Sequence, residues 1–520
     1  RMIGRCYLNM ALIPQKNPAI PFLYFRKALK YENSKKIIQF IHLNMGFIYL
    51  ERKRFKRAIE CFKKALRVSS SREVKIRALS GIGDCLLKMG RSPEHAFPYY
   101  KKAFRVYLQM LALPPSPYIV SSFLREKPRI FNALVSSAIN TKRSAYALKI
   151  SSIPKALSLV EKTINEEKTP EVKKTLISLL TTKRLRRESL FEELFASSIK
   201  RLNLKKTKLR KPAPGELMIN FYIFSEESIY LIMKSTRKTE IRKLEKSHCK
   251  HLKGLANLIK EEITHYGEEA CVEEELQKIR EILGIKIEGM RKISISPMGF
   301  LNIIPWKGVF PETPIEIYPS FLYFPRRKTK YRIPFLFLKL SDDLLWVDEE
   351  FKTLKRIFPE GVYLSGKNAT RENFIKYARL SQIIHIAGHS SSGRESDFEN
   401  GMLFPDGKVL SGYEIVHAEI NAELLSFSSC ETAMGKVYAF SGELESLTYA
   451  FLLSGVERVV ASHLVVDDRT SFLFFKNFYS SKGKEWELKF HSAFQKTLSE
   501  NVPLQFLCYF NLYRNIKRYI

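Results

Sequence analysis

Cysteine is scarce in this chain of 520 residues: there are seven, at positions 6, 61, 85, 249, 271, 430 and 508. The number is odd and no Cys-x-x-Cys pair occurs, so neither a disulfide framework nor a zinc site is indicated. A reducing cytoplasm is the expected setting. Long apolar runs are also missing; none approaches the roughly 18–20 residues that a membrane helix needs. The opening residues, Arg1-Met2-Ile3-Gly4-Arg5-Cys6, lack the basic head, apolar stretch and cleavage site of a secretory leader. Arg1 is not a methionine, as expected of a piece cut from a longer protein. There is no P-loop and no G-x-G-x-x-G. His417, His463 and the pair His248/His251 have no Cys or carboxylate at metal-ligand spacing. No metal, no organic cofactor and no membrane partner is implied.

What is present is positive charge, unevenly placed. Residues 1–215 hold 46 Lys+Arg against 14 Asp+Glu, whereas residues 216–520 hold 41 against 39. Nearly all of the formal +34 thus lies in the first two-fifths of the chain. A bias towards lysine throughout would have marked both parts; a step indicates separate modules with separate partners.

The basic part repeats itself. Gly46, Tyr49, Ala58, Phe62 and Ala65 are answered by Gly83, Ala96, Tyr100 and Ala103, about 37–38 residues later. A poorer copy, with Gly4, Tyr7, Phe25 and Ala28, precedes them and is stretched by Pro14, Pro18 and Pro21. The segments FRKALKY, FKKALRV and YKKAFRV close the three copies alike. Small residues let paired helices approach and aromatics fill the space between them. These offsets resemble tetratricopeptide (TPR) helix pairs, which implies a protein or peptide partner. Three such pairs bury too little apolar surface alone, so further helices are expected after them, for example at Val172–Leu180 and Glu188–Ile199. Pro114, Pro115 and Pro117 mark the break between the two groups. Residues 183–211 carry eleven Lys or Arg against three Glu. Such a cluster is a solvated face and basic linker, or a phosphate-binding surface for nucleic acid or a ribonucleoprotein. No zinc-finger, RRM or helix-turn-helix signature accompanies it.

Lys205–Gly215 (KKTKLRKPAPG) reads as a linker. Beyond it, Met218–Phe224 and Ser228–Met233 read as a strand pair, with helix over Ile241–Ile263 and Cys271–Leu283. Further strands are expected at Lys292–Ser296 and Val362–Ser365. Alternating strands and helices to the C-terminus indicate an α/β fold with a largely parallel sheet. The division expected is 1–110 for the repeats, 111–215 for further helices and basic linker, 216–335 for a non-catalytic first half and 336–520 for a catalytic half.

Two segments of that last part end an apolar strand on a reactive side chain. One runs Gln382-Ile-Ile-His385-Ile-Ala-Gly388-His389-Ser390, the other Leu424-Leu-Ser-Phe-Ser-Ser-Cys430-Glu431-Thr432. Sites in open α/β sheets form at the carboxyl ends of strands, so adjacent parallel strands would bring His389 and Cys430 together. A thiol with a free pKa of about 8.5 needs a base beside it to act as a nucleophile near neutrality. His389 can take its proton and return it to the leaving amine. The N–H of Cys430 and that of Ser390, in the turn after His389, are the candidate oxyanion donors. His385 is either a second functional group or a core histidine, the core role being preferred. Cys61 and Cys85 read as small apolar packers on the repeat faces.

Taken together, residues 216–520 resemble the CHAT family, caspase- and separase-like cysteine peptidases often fused to TPRs. The resemblance rests on His385-Ile-Ala-Gly-His389 and Ser428-Ser-Cys430-Glu-Thr432. It also rests on Gly442-Glu443 through Ser454-Gly455-Val456, on Val459-Val460-Ala461-Ser462, and on Val466-Asp467-Asp468. Upstream, Ile295-Ser-Pro297 and Ile304-Pro305-Trp306 resemble the family's non-catalytic first half. Departures are Ser390 where the family has glycine and Leu464 where it has tryptophan. The resemblance implies a caspase-like fold and an endopeptidase acting on a protein substrate through a Cys430/His389 dyad. The alternative is an inactive peptidase-fold scaffold whose basic arm does the binding. Residues 381–470 carry five Lys+Arg and thirteen Asp+Glu; Asp397, Glu431, Asp467 and Asp468 are candidates for a pocket taking a basic residue.

Overall fold

The computed structural model describes chiefly residues 20–111, 131–152 and 209–519; residues 389, 392–400, 429–435, 438–443 and 463–465 are among those outside the description. The helices expected at Val172–Leu180 and Glu188–Ile199, and the prolines at 114, 115 and 117, also lie outside the described residues. The chain forms two compact units, Arg1–Ile150 with Leu185–Lys200, and Ser151–Arg184 with Arg201–Ile520.

The first unit is built from helix pairs: α1 (Ile20–Tyr31), α2 (Lys35–Glu51), α3 (Phe55–Val68), α4 (Arg72–Lys88) and α5 (Pro93–Leu111). Its packing follows from glycines set opposite aromatic rings. A methyl group on Gly46 or on Gly81 would stand 2.5 Å from an atom of the Phe62 ring, and one on Gly83 would stand 2.6 Å from Tyr100. So Phe62 is gripped by glycines from the helices before and after its own. Ala28, Ala58, Ala65, Ala96 and Ala103 are all fully buried. The Tyr100 hydroxyl donates to Asp84 at 2.6 Å, giving the buried ring's polar tip a partner. Cys61 and Cys85 pack inside this core, and burial pushes the Cys61 thiol up to about 11, an inert value.

The second unit is an α/β layer structure around an eleven-stranded sheet. Its strands, in chain order, are β1 (Glu216–Ser225), β2 (Ser228–Lys234), β3 (Thr239–Lys243), β4 (Lys292–Ser296), β5 (Ile315–Ile317), β6 (Ile333–Lys339), β7 (Val362–Leu364), β8 (Ser381–Ala387), β9 (Leu424–Ser428), β10 (Arg458–Ser462) and β11 (Phe510–Arg514). The spatial order is β3-β2-β1-β4-β5-β11-β10-β9-β8-β6-β7. Two parallel blocks make it up. β1, β4, β5 and β11 run parallel, as do β10, β9, β8, β6 and β7. The blocks meet at the antiparallel pair β10–β11, and β2 and β3 add an antiparallel edge. The α/β class with a largely parallel sheet is therefore what the structure has.

Helices cover both faces, as parallel sheets require. On one face lie α6 (Lys246–Tyr266), α7 (Glu273–Leu283), α9 (Arg371–Ala378) and α10 (Leu447–Ser454). On the other lie α8 (Leu345–Ile357), α11 (Asp468–Ser480) and α12 (Trp486–Ser499). Two expectations need correction. The stretch opening at Ile241 is not yet helix: Thr239–Lys243 is an edge strand on β2. Its single apolar residue between Glu240, Arg242 and Lys243 suits an edge that must resist further pairing. Arg210, read as part of a basic linker, belongs to the sheet unit. Its guanidinium forks onto Glu216 at 2.6 and 2.9 Å and lies over the Tyr318 ring.

The seam between the two blocks is ionic. Glu316 on β5 is fully buried, yet it meets Lys292 of β4, Arg458 of β10 and Arg514 of β11, and the Tyr318 hydroxyl donates to it at 2.7 Å. Burial alone would raise its pKa; the three cations outweigh that and hold it at about 2.

Candidate active site

In sequence, the two residues of the expected dyad follow two neighbouring strands. β8 and β9 are parallel and paired from Ile383↔Leu424 to Ala387↔Ser428. The offset is 41 residues at every rung, the same number that separates His389 from Cys430. Each candidate follows its strand's last paired residue by two positions. His389, Cys430 and Glu431 themselves lie outside the described residues, as does Asp397.

The approach to His389 is fixed by its neighbour. Gly388 has φ +130°, and a Cβ there would fall 2.8 Å from Cβ of Leu340 and 2.9 Å from the Ser341 amide nitrogen. Only glycine fits both the conformation and the space, so the chain leaves β8 by a turn that other residues could not make. Just beyond, Ser390–Ser391 pairs antiparallel with Gly401–Met402, and Gly401–Leu403 pairs with Val409–Ser411, a small separate sheet. A Cβ on Gly401 would stand 2.4 Å from the Leu410 carbonyl oxygen, which accounts for glycine there too.

His385 is completely buried. Its Nδ1 lies 2.7 Å from Oγ of Ser426 and 3.3 Å from the Tyr479 hydroxyl. Its Nε2 lies 3.3 Å from Oε1 of Glu350. Phe337 and Phe475 wall it in, with ring centroids 5.1 and 5.0 Å away. Ser426, Tyr479 and Glu350 went unnoticed in the sequence. The signal available was a polar residue inside each of two apolar strands, 41 residues apart.

Asp467 and Asp468 are engaged by backbone amides. Asp467 caps α11, accepting from the N–H groups of Thr470 at 2.8 Å and Arg469 at 3.3 Å. Asp468 accepts the Trp346 N–H at 3.1 Å. Another residue passed over is Lys339, opposite Ala387 at the end of β6; its Nζ pairs with Asp348 at 2.7 Å. Among the described residues no cluster of His, Cys, Asp and Glu could hold a metal ion. No described helix is long and apolar enough to cross a membrane.

Residues 338–495 match the family model of the CHAT domain, and residues 38–109 match that of the tetratricopeptide repeat. The chain carries a CHAT domain and tetratricopeptide repeats. The CHAT match takes in β8 and β9 with both candidate residues and leaves the first parallel strands outside it. No curated protein matches the chain. Among solved structures, it is similar to a chain of the Saccharomyces cerevisiae separase-securin complex at 2.6 Å resolution, with 10% identity and a TM-score of 0.42 over 99% of this chain and 50% of that one. A second crystal structure of that complex, at 3.0 Å, gives 11% identity and a TM-score of 0.39 over 99% and 49%. The chain thus spans about half the length of those chains.

Proposed function

We propose that the CHAT domain is a cysteine endopeptidase in which Cys430 is the nucleophile and His389 its base. The observation that carries this reading is the constant 41-residue offset between β8 and β9. It supports a pairing of two candidates that share one carboxyl edge, with Gly388 shaping the approach to one of them. In the reaction, His389 takes the Cys430 thiol proton and the thiolate attacks the scissile carbonyl carbon. The oxyanion that forms is met by the N–H groups of Cys430 and Ser390. The C–N bond then breaks as His389 returns the proton to the leaving amine, and water hydrolyses the thioester with His389 again as base. A net charge of −8 over residues 381–470 favours a basic residue before the cut. Asp397 and Glu431 are the first candidates to contact it, since Asp467 and Asp468 already hold backbone amides. The reducing cytoplasm remains the proposed setting.

The repeats dock a partner. Each second helix of a pair presents a basic triad at the same place: Arg26, Lys27 and Lys30; Lys63, Lys64 and Arg67; Lys101, Lys102 and Arg105. All but the half-buried Lys101 are exposed. An acidic protein or peptide is the first partner they fit. The prevalence of lysine, depleted at protein interfaces, favours a second reading, a nucleic-acid phosphate backbone. Competition between an acidic peptide and mixed-sequence RNA separates the two.

The test of the enzyme is covalent labelling with a peptidyl electrophile, read by intact mass. A single adduct on the wild type that disappears in Cys430→Ala is expected. No adduct on either, with and without cell extract, favours the inactive scaffold.

A further inference from the structure

We infer that His385, with Ser426, Tyr479 and Glu350, is a positioning device that sets the register of the two strands on which the dyad is carried. The inference rests on the reading of Cys430 and His389 as that dyad and adds what holds them at one level.

The need for such a device follows from the sheet. β8 and β9 are buried on both faces. Ile384, Ile386, Leu425 and Phe427 enter one core, and Ile383, Ala387 and Leu424 the other. Where one face is wet, a slip of one residue exposes apolar side chains and is thereby forbidden. With two dry faces, the apolar pattern exchanges one buried aliphatic for another and discriminates little. The evenly spaced ladder of parallel strands adds no marker of its own.

His385 and Ser426 supply the marker. They are direct register partners, and their side chains meet at 2.7 Å in a fully buried setting. Each lies four residues before a member of the dyad. Slipped by one residue, the imidazole would face Leu425 or Phe427; slipped by one or two, the Ser426 hydroxyl would face only Ile383, Ile384, Ile386 or Ala387, and an unpaired buried polar group is costly. A buried polar pair that selects one alignment among apolar alternatives is the best-attested use of such groups.

Two helices hold the pair from the side. Tyr479 of α11 reaches Ser426 at 2.5 Å, and Glu350 of α8 faces Nε2 of His385 at 3.3 Å. With the proton on Nε2, Nδ1 accepts from the Ser426 hydroxyl, and Ser426 accepts from Tyr479. The Glu350 and His385 atoms that face each other make no hydrogen bond, so their 3.3 Å approach is an electrostatic contact only.

The register can be read without the dyad. Ala387→Cys with Ser428→Cys, in a Cys430→Ser background, places two thiols on the last paired rung, within disulfide reach across neighbouring strands. Mild oxidation with peptide mapping should give the 387–428 cross-link in the parent. An apolar replacement, Glu350→Leu/His385→Phe/Ser426→Ala/Tyr479→Phe, should keep or raise the melting temperature and lose the cross-link several-fold. Ser426→Ala alone, the removal of one hydroxyl, guards against a replacement that does not fold, and Ser426→Thr should restore the cross-link. With Cys430 in place, the same replacements should slow its alkylation about 10²-fold and move its pH profile towards that of a free thiol. An undiminished cross-link in the variants overturns the inference, as does a lost cross-link with unchanged alkylation. A lost cross-link with Cys430 already unreactive in the wild type sinks the dyad and leaves the register device standing.

Discussion

The two units of this chain handle charge in opposite ways. The repeat unit sets most of its triad cations outside, one repeat apart, and packs chiefly through uncharged contacts such as Phe62 between Gly46 and Gly81, with Arg52 and Arg77 laid over Phe22 and Phe47. The sheet unit is close to neutral over residues 216–520, yet it sinks charges into its interior: Glu316 among Lys292, Arg458 and Arg514, and Arg210 on Glu216. Exposed charge costs little to carry and is free to meet a partner. Buried charge must be matched, and so it fixes where strands lie. Charge in the first unit therefore speaks of binding, and charge in the second of position.

The sharpest way to break this contrast is to unbalance the interior. Glu316→Leu takes the central anion from three cations and leaves them only Glu457 and Glu487 at the edge of the cluster, and urea unfolding of the sheet unit should show a loss of about 3–5 kcal/mol. Acid should do the same more gently. Because the folded value of Glu316 lies below the ordinary 4.5, its contribution is whole above that pH and vanishes as the pH falls towards 2. A sheet-unit transition unmoved between those values would contradict the seam's role. In the repeat unit the vulnerable feature is space. Gly83→Ala drives a methyl into Tyr100 and should cost about 1–3 kcal/mol, measured by the loss of the helical transition. Smaller again is Asp467→Ala, which removes a helix cap and should cost about 1 kcal/mol. Least disturbing to stability is the reversal Lys63→Glu/Lys64→Glu/Arg67→Glu. Unfolding should shift by no more than about 0.5 kcal/mol, while binding of an anionic partner falls; a large loss of stability would mean that these cations are structural after all.

Legibility followed the distance over which each contact acts. The repeat unit's small residues and aromatics recur within one helix pair, so their spacing told their packing. The hairpin around β1 and β2 and the strand Lys292–Ser296 were legible for the same reason. Thr239–Lys243 was misread because its one apolar residue gives no period and a helix follows within three residues. The ring of cations around Glu316 joins positions 292, 316, 458 and 514; nothing local in the sequence marks them as neighbours. The candidate site was half legible. The spacing of His389 and Cys430 was plain and returns as the offset of the strand ladder. The cluster around His385 was not, since Glu350 and Tyr479 reach it from helices that only the folded sheet brings alongside.

The most direct measurement is the pH dependence of Cys430 alkylation in the wild type and in His389→Ala. An activated thiolate predicts reaction well below the free-thiol pKa of about 8.5 in the wild type, and a shift of the whole profile to alkaline pH in the variant. Superimposable profiles would contradict the account, because His389 would then not be the base that Cys430 requires.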